Sequence, residues 1–339
     1  METRLLPTDN EGAVEYAIAH GAELLRTGKL LAFPTETVYG LGANALDEIA
    51  VRRIYEVKGR PKDNPMIVHV HAKEQARELM QSVPPCFDEL ANEFWPGPLT
   101  LIVERNAAIP DVVTAGLSGV ALRLPDHALA RALLRRTALP VAAPSANVSG
   151  RPSPTDARMV MDYLDGRIDA VLDGGPCAVG IESTVLDISM KQPVILRPGT
   201  VTREDIEDVL QTYVSVTGVD ATTPRSPGVK YRHYAPRARL IVFPYSDDDG
   251  MAGTLGAAIG QACRREQRTG LLAPERFRGC GEHVFYSLRE GTAVDYARHL
   301  YAGLATLDAA AVAVIFCPGI PATGIGAAVM NRLCKASGL

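Results

Sequence analysis

No two cysteines of this chain stand in CxxC spacing, and no apolar run approaches the roughly twenty residues a bilayer-spanning helix needs. The six cysteines, Cys86, Cys177, Cys263, Cys280, Cys317 and Cys334, are scattered. That scatter gives neither a zinc site nor a disulfide framework, and predicts reduced thiols in a cytoplasmic protein. The opening METRLLPTDNEG has no apolar region of the kind a secretory signal carries. Asn147 in Asn-Val-Ser is therefore not expected to be a glycan acceptor. Positive charge is not in surplus either. Lys and Arg number 35 against 39 Asp and Glu, a net charge of −4, which argues against a chain that wraps nucleic acid over a wide face. The G-x-x-x-x-G-K-[ST] loop of a phosphate-binding NTPase is missing, and so is the G-x-S-x-G elbow of a hydrolase. DDDG near Asp247 lacks the other ligand positions of an EF-hand and reads as a solvated loop.

What is there is a chain of 339 residues, 47% apolar, long enough for two domains with a substantial core. Helical and strand patterns alternate over roughly the first two hundred residues. AVEYAIAHGAELLRTG spaces its apolar residues as a helix that stops at Gly28. LDEIAVRRIYEVKG predicts a second helix, with Asp47 as its cap. Helices are also read near ALARALLRR, DARMVMDYL and REDIEDVL. KLLAF, MIVHV, LTLIVE, VALRL, PVAAP, AVLDGG, STVLDI and VILRPG read as strands. Helices interleaved so irregularly imply one α/β domain with a mixed sheet. From about Thr212 to Arg237 neither period holds, which reads as a long linker. After it ARLIVFP, GTLGAAIGQACRREQ, TGLLAP, HVFYSL, AVDYARHLYAGLATLD and AVAVIFCP alternate strand and helix again, as a small parallel α/β domain would.

Three stretches break their local rules. PTETVYGLG, Pro34 to Gly42, follows a buried strand and offers the hydroxyls of Thr35, Thr37 and Tyr39 with two glycines for close backbone approach. Thr35 as a helix cap is the structural alternative. GLGANA fits the loose dinucleotide fingerprint, but seven residues, PTETVYG, separate its Leu41 from the LLAF strand and no acidic residue is well placed afterwards at a strand end. KGRPKDNPMIVHV sets Lys58, Arg60 and Lys62 in a stiff loop that leads into a strand carrying His69. Such cations suit phosphate or carboxylate oxygens, unless the turn is merely solvated. APSANVSGRPSPT turns from a buried strand to Ser145, Asn147 and Ser153, and GIESTVLDI and ILRPGT add Ser183, Thr184 and Arg197. Arg123 sits within VALRLPD, where a buried charge needs a partner, either Asp126, Asp173 or a ligand. Hydroxyls, an amide and at least four cations, with no activated nucleophile and no metal cluster, suit an ATP-type ligand and a small polar co-substrate.

At these residues the sequence resembles the YrdC-like family, and within it the two-domain threonylcarbamoyladenylate synthases. PTETVYGLG, KGRPKDNP, FWPGPLT, APSANVSG, GIESTV and LRPG occur in order at family-like spacing, and SPGVKYRHYAP at Ser226 to Pro236 resembles the linker of the longer form, with Val229 where methionine is common. The resemblance implies an α/β fold: a curved mixed sheet with a concave cavity, then a small Rossmann-like domain, with boundaries at 1–212, a linker and lid at 213–237, and 238–339. It implies formation of L-threonylcarbamoyladenylate and pyrophosphate from L-threonine, bicarbonate and ATP, for modification of the tRNA adenosine beside the anticodon. Thr35, His69, Arg123, Ala143 and Ser183 would surround threonine, with Arg123 on its carboxylate. Lys58 and Arg60 would act at the reacting phosphate, and Lys62 would share in neutralising the triphosphate. Gly119, Ser145, Asn147, Ser153 and Arg197 would hold the nucleotide together with Lys58 and Lys62, and Tyr231 would close over it. Mg²⁺ is expected with ATP, its ligands not identified. A downstream threonylcarbamoyl transferase is the implied partner, with neither membrane nor tRNA binding required. The C-terminal domain carries no legible chemistry and would hold the linker as a lid. Two other readings stand beside this one, an RNA-binding module and a carbamoyl-adenylating enzyme using carbamoyl phosphate.

Overall fold

The computed structural model describes residues 2–217, 233–246 and 248–338. They divide into two compact units. The first gathers the chain up to Ser149, Ser153–Ala178 and the residues from Glu182 to 217, and the second takes Gly150–Pro152, Val179–Ile181 and the residues from 233 onward.

The first unit is built on one eleven-stranded sheet. Its strands are β1 (Arg4–Leu6), β2 (Leu31–Phe33), β3 (Gly40–Asn44), β4 (Ile67–His69), β5 (Leu99–Glu104) and β6 (Gly119–Arg123). They are followed by β7 (Val141–Ala142), β8 (Ala170–Leu172), β9 (Thr184–Asp187), β10 (Val194–Arg197) and β11 (Ser215–Val216). The order across the sheet is β1-β8-β2-β3-β7-β4-β6-β5-β9-β10-β11, with parallel and antiparallel pairs mixed as expected. Every strand read in this half of the sequence is present. Three more are not visible to pattern reading: β1, the glycine-rich β3, and β11 inside the stretch taken for linker.

Strand alternation sorts the side chains onto two faces. Ala32, Val68, Leu101, Leu122, Val171 and Leu186 join the large core, where the helices at Glu48–Lys58, Phe87–Phe94, Ala157–Leu164 and Arg203–Leu210 pack. On the other face, Leu31, Phe33, Val141, Ala143, Ala170 and Leu172 bury against the helices at Glu11–Arg26 and Ala128–Thr137. Further along that same face the apolar floor shrinks to Ile67, Ile102, Ala121 and Val185. Two residues along from these floor positions stand His69, Thr100, Arg123 and Ser183, all buried. This is the part of the sheet that positions polar chemistry.

Local signals hold where their physics is local. Asp47 caps the helix at Glu48–Lys58, accepting from the N–H groups of Ile49 and Ala50 at 2.9 and 3.2 Å. Gly59 ends it at φ 59°, the left-handed conformation that glycine adopts without penalty. Thr35 does not cap a helix. Its hydroxyl accepts from the N–H groups of Thr37 and Val38 and turns the chain directly into β3.

The second unit has a four-stranded sheet, all parallel, in the order β12 (Arg239–Phe243), β15 (Val314–Pro318), β13 (Thr269–Ala273), β14 (Val284–Ser287). β13 and β15 are buried throughout, as strands covered on both faces are. The helix read around GTLGAAIGQACRREQ begins earlier, at Asp248, within the segment taken for a solvated DDDG loop. Asp308, at the end of a long helix, accepts from the backbone N–H groups of Arg237 and Ala238 and pairs with Arg151 at 2.6 Å.

Candidate active site

The cations of KGRPK separate. Lys58, the last residue of its helix, is wholly buried, and its Nζ donates to the carbonyl oxygens of Ser145, at 2.5 Å, and Asn147. Burial, with Arg60 adding like charge, holds its ammonium well below the usual lysine range. The loop that receives it is fixed from within: Ser145 donates to Asn147 Oδ1 at 2.5 Å, and Asn147 Nδ2 donates to the carbonyl of Val148 at 2.8 Å. Lys58, Ser145 and Asn147 are therefore one group. Arg60 turns to the carbonyls of Asn64 and Pro65 at 3.1 and 2.7 Å. Lys62 is exposed, and both line a separate cavity of about 380 Å³ with Arg52, Tyr55 and Asp111.

A second group lies under the PTET turn. β4 and β6 pair in parallel with His69 opposite Arg123, so two polar side chains share the sheet face where β4 and β6 end. Arg123 donates from Nε to the carbonyl of Gly97 at 3.2 Å and from Nη1 to Thr37 Oγ1 at 2.9 Å. Its Nη2 stands 2.7 Å from Glu36 Oε1. That pair has the distance of an ion pair without the alignment of a hydrogen bond, so Arg123 Nη2 and both Glu36 oxygens are buried with no hydrogen-bond partner among the described residues. The partner of Arg123 is thus Glu36, not Asp126 or Asp173. Loop return across the sheet face, rather than sequence proximity, supplies the counterion.

His69 packs edge-on to Phe33, with ring centroids 5.9 Å apart, and its Nδ1 is buried with no hydrogen-bond partner among the described residues. Burial and the Arg123 charge push its pKa down to about 3, so the ring is neutral at pH 7. Beside Glu36, burial pushes the Cys177 thiol up to about 12, with the Glu36 charge contributing, while burial lowers His127 against the pull of the same carboxylate.

The remaining residues fall into two further sets. Arg197 donates to the Ser183 carbonyl at 2.9 Å and to its hydroxyl at 3.1 Å, and that hydroxyl meets Thr100 at 2.8 Å. Ser183 and Arg197, assigned to different ligands by the resemblance, are one unit. Ser153 donates to Glu182 Oε1 at 2.5 Å. Thr35 spends its hydroxyl on the turn, donating to the Val38 carbonyl at 2.6 Å, so the hydroxyl that reaches Arg123 is that of Thr37. Ala143 lies in the core, its N–H donating to Ile67 at 2.9 Å. Gly119 begins β6, roughly 13 Å along the strand from Arg123. A Cβ at Gly119 would stand 2.9 Å from Ile102 Cγ2, which explains the glycine by packing. Gly42 is explained in the same way, since a Cβ there would press on Phe33 at 2.9 Å. Tyr231 lies outside the described residues. Tyr234, in the same motif, holds φ 64° and stacks on Tyr301 at 5.3 Å within the second unit.

The Lys58 and Arg123 groups are joined by backbone. Tyr39, at the end of the PTET turn, accepts from the N–H of Ala146 at 2.8 Å, between Ser145 and Asn147. Residue reasoning missed Glu36 and the Thr37 contact. The signal was an acid between two threonines in a loop flanked by buried strand.

The Sua5/YciO/YrdC family model, described as "Telomere recombination", matches residues 23–199, and the model described as "Threonylcarbamoyl-AMP synthase, C-terminal domain" matches residues 201–338. The chain belongs to the threonylcarbamoyl-AMP synthase family. It is 44% identical to the threonylcarbamoyl-AMP synthase of Pyrococcus abyssi, over 96% of this chain and 95% of that one. The Bacillus subtilis threonylcarbamoyl-AMP synthase is also 44% identical, over 98% of this chain and 96% of its own. The crystal structure of P. abyssi Sua5 complexed with L-threonine superposes with a TM-score of 0.93 at 42% identity, covering 100% of this chain and 98% of that one. Fold and enzyme class are those the motifs implied. No helix among the described residues is long and apolar enough to cross a membrane, and all six cysteines are unpaired thiols.

Proposed function

We propose that the first unit joins L-threonine, bicarbonate and ATP into L-threonylcarbamoyladenylate, releasing pyrophosphate. Arg123 takes the carboxylate of threonine, with His69 and the Ser183–Arg197 pair lining the same face. The Lys58 loop takes the nucleotide, and Arg60, which lines the neighbouring cavity, would have to turn from the Asn64 and Pro65 carbonyls to act at the reacting phosphate. Ser145, Asn147 and Ser153 set the loop that receives the nucleotide, and Lys62 and Tyr231 belong to the same reading. Threonine's amine captures bicarbonate as a carbamate with loss of water. A carbamate oxygen then attacks the α-phosphorus, and pyrophosphate leaves. The protein's part is positioning and charge neutralisation.

The observation that carries this reading is the direct joining, through Tyr39 and Ala146, of a loop centred on a buried cation to a sheet face carrying an arginine with unused donors. The match to the P. abyssi complex supports the amino-acid half of it. Mg²⁺ would accompany the nucleotide. Among the described residues no three His, Cys, Asp or Glu side chains group as a metal site. Phosphate and water oxygens would therefore hold the ion, a common arrangement for Mg²⁺, and it would supply neutralisation of the triphosphate. The adenylate is a reactive mixed anhydride, so a threonylcarbamoyl transferase acting on tRNA adenosine in the cytoplasm would consume it.

The test is pyrophosphate release from ATP by the purified full chain, with each co-substrate present or omitted. Release that requires both L-threonine and bicarbonate is the expected result. Release indifferent to threonine would mean another acceptor and would overturn the proposal.

A further inference from the structure

The PTET turn buries a carboxylate that the reaction as drawn above does not use. Glu36 is 6% exposed, and neither of its oxygens receives a hydrogen bond from the described residues. Leaving such a group unserved costs several kcal/mol in an apolar site, so buried carboxylates are almost always given donors. Among the described residues, the full charge within ion-pair distance of it is Arg123, at 2.7 Å and out of hydrogen-bond alignment. Thr35, which could have donated, donates to the Val38 carbonyl instead. Among the described residues, His69 Nδ1 and, its ion pair with Glu36 aside, Arg123 Nη2 have no hydrogen-bond partner on the same face. The vacancies are of two kinds, acceptor oxygens on Glu36 and donor hydrogens on Arg123. Of the five guanidinium N–H groups, one on Nε and one on Nη1 are taken.

A ligand filling both kinds of vacancy must carry an acceptor anion and a donor cation a few ångströms apart. An α-amino acid zwitterion does this. Its carboxylate meets the open N–H groups of Arg123, and its ammonium meets the open oxygens of Glu36. An acid without an ammonium would satisfy Arg123 and leave Glu36 unserved.

We propose that Glu36 is the ammonium-binding residue of the site, and that the Arg123–Glu36 pair selects the zwitterionic form of the amino acid. The proposal rests on the reading that this face binds L-threonine. It explains why a loop inserts an acid beside an arginine thought to be waiting for a carboxylate. The pair is neutral overall, so the arginine is buried without an uncompensated charge.

Calorimetric titration of the full-chain protein with L-threonine and with 3-hydroxybutanoate, its analogue lacking the amine, tests this. The wild type should bind L-threonine and discriminate against the analogue by about ten- to a hundredfold, the worth of a charge-assisted hydrogen bond. Glu36→Gln should lose about the same factor for L-threonine and none for the analogue, so that discrimination collapses. Glu36→Asp should recover part of it. Glu36→Gln binding L-threonine within threefold of the wild type would overturn the proposal. Equal binding of both ligands by the wild type would do so without any variant, should Glu36→Gln fail to fold. A wild type that binds neither removes the threonine reading itself, and this inference with it, which separates the two failures.

Discussion

Lys58 and Arg123 are both cations buried in the first unit, and their surroundings differ in kind. Lys58 is met by two backbone carbonyls. Arg123 is met by a carbonyl, a hydroxyl and the Glu36 carboxylate. Dipoles orient an ammonium but do not cancel its charge, and the depressed lysine pKa registers that shortfall. A counterion does cancel the guanidinium charge. The difference teaches what each can attract. An uncompensated cation favours a polyanion arriving with surplus charge, whereas a compensated pair favours a ligand that is itself neutral overall. On the proposed reading, one fold separates a phosphate-type from a zwitterion-type subsite by placing a single carboxylate.

The largest effect that would break this comparison is expected at Arg123. Arg123→Ala leaves Glu36 buried without its counterion, which should cost about 3–5 kcal/mol of stability. Chemical denaturation reads that loss directly. The double variant Arg123→Leu with Glu36→Leu should recover most of the stability while L-threonine binding stays lost. A single variant as stable as the wild type would show that the pair is not electrostatically coupled.

Lys58→Met comes next. It removes a charge that no carboxylate among the described residues balances, and leaves the carbonyls of Ser145 and Asn147 without that donor. Those effects oppose each other, so stability should move by about 1–3 kcal/mol at most. Pyrophosphate release should fall about a hundred- to a thousandfold, as when a preorganised electrostatic contact to a developing charge is deleted. L-threonine binding measured without ATP should stay within threefold. Equal damage to both ligands would erase the distinction between the subsites.

How much of this was legible beforehand follows the range of the interactions. The Asp47 cap and the strands at Ile67–His69 and Leu99–Glu104 are set by neighbours in sequence, and pattern reading finds them. β3 was invisible because Gly-Leu-Gly-Ala-Asn has little strand propensity. Its glycines are chosen by the Phe33 and Ala143 side chains packed on them. β11 was lost inside a polar stretch because two residues carry no period. The site's residue types were legible as motifs. Their partnerships were not, since Glu36 meets Arg123 only after β2 and β6 take their places in the sheet. Pairing Arg123 with Asp126 or Asp173 relied on sequence neighbourhood and strand-end position, and a buried counterion respects neither.

The smallest effect sharpens the comparison through pH. His69 is held neutral by burial and by the Arg123 charge, at about 3 against an ordinary value of about 6.5. Between those values the unfolded chain binds a proton that the folded chain refuses, so stability falls as pH drops below 6.5 and stops falling near 3. From pH 8 to pH 5.5 the His69 share of that loss is about 1.4 kcal/mol. His127, also held low by burial, adds in the same direction. His69→Gln should therefore flatten the acid limb of a stability–pH curve by about that amount. Arg123→Met should flatten it partly, because one of the two causes has gone, while Lys58→Met should leave it unchanged. An acid limb that Lys58→Met flattens as much as Arg123→Met does would mean that the two cations share one electrostatic environment. The division into an anion subsite and a zwitterion subsite would then have no physical basis.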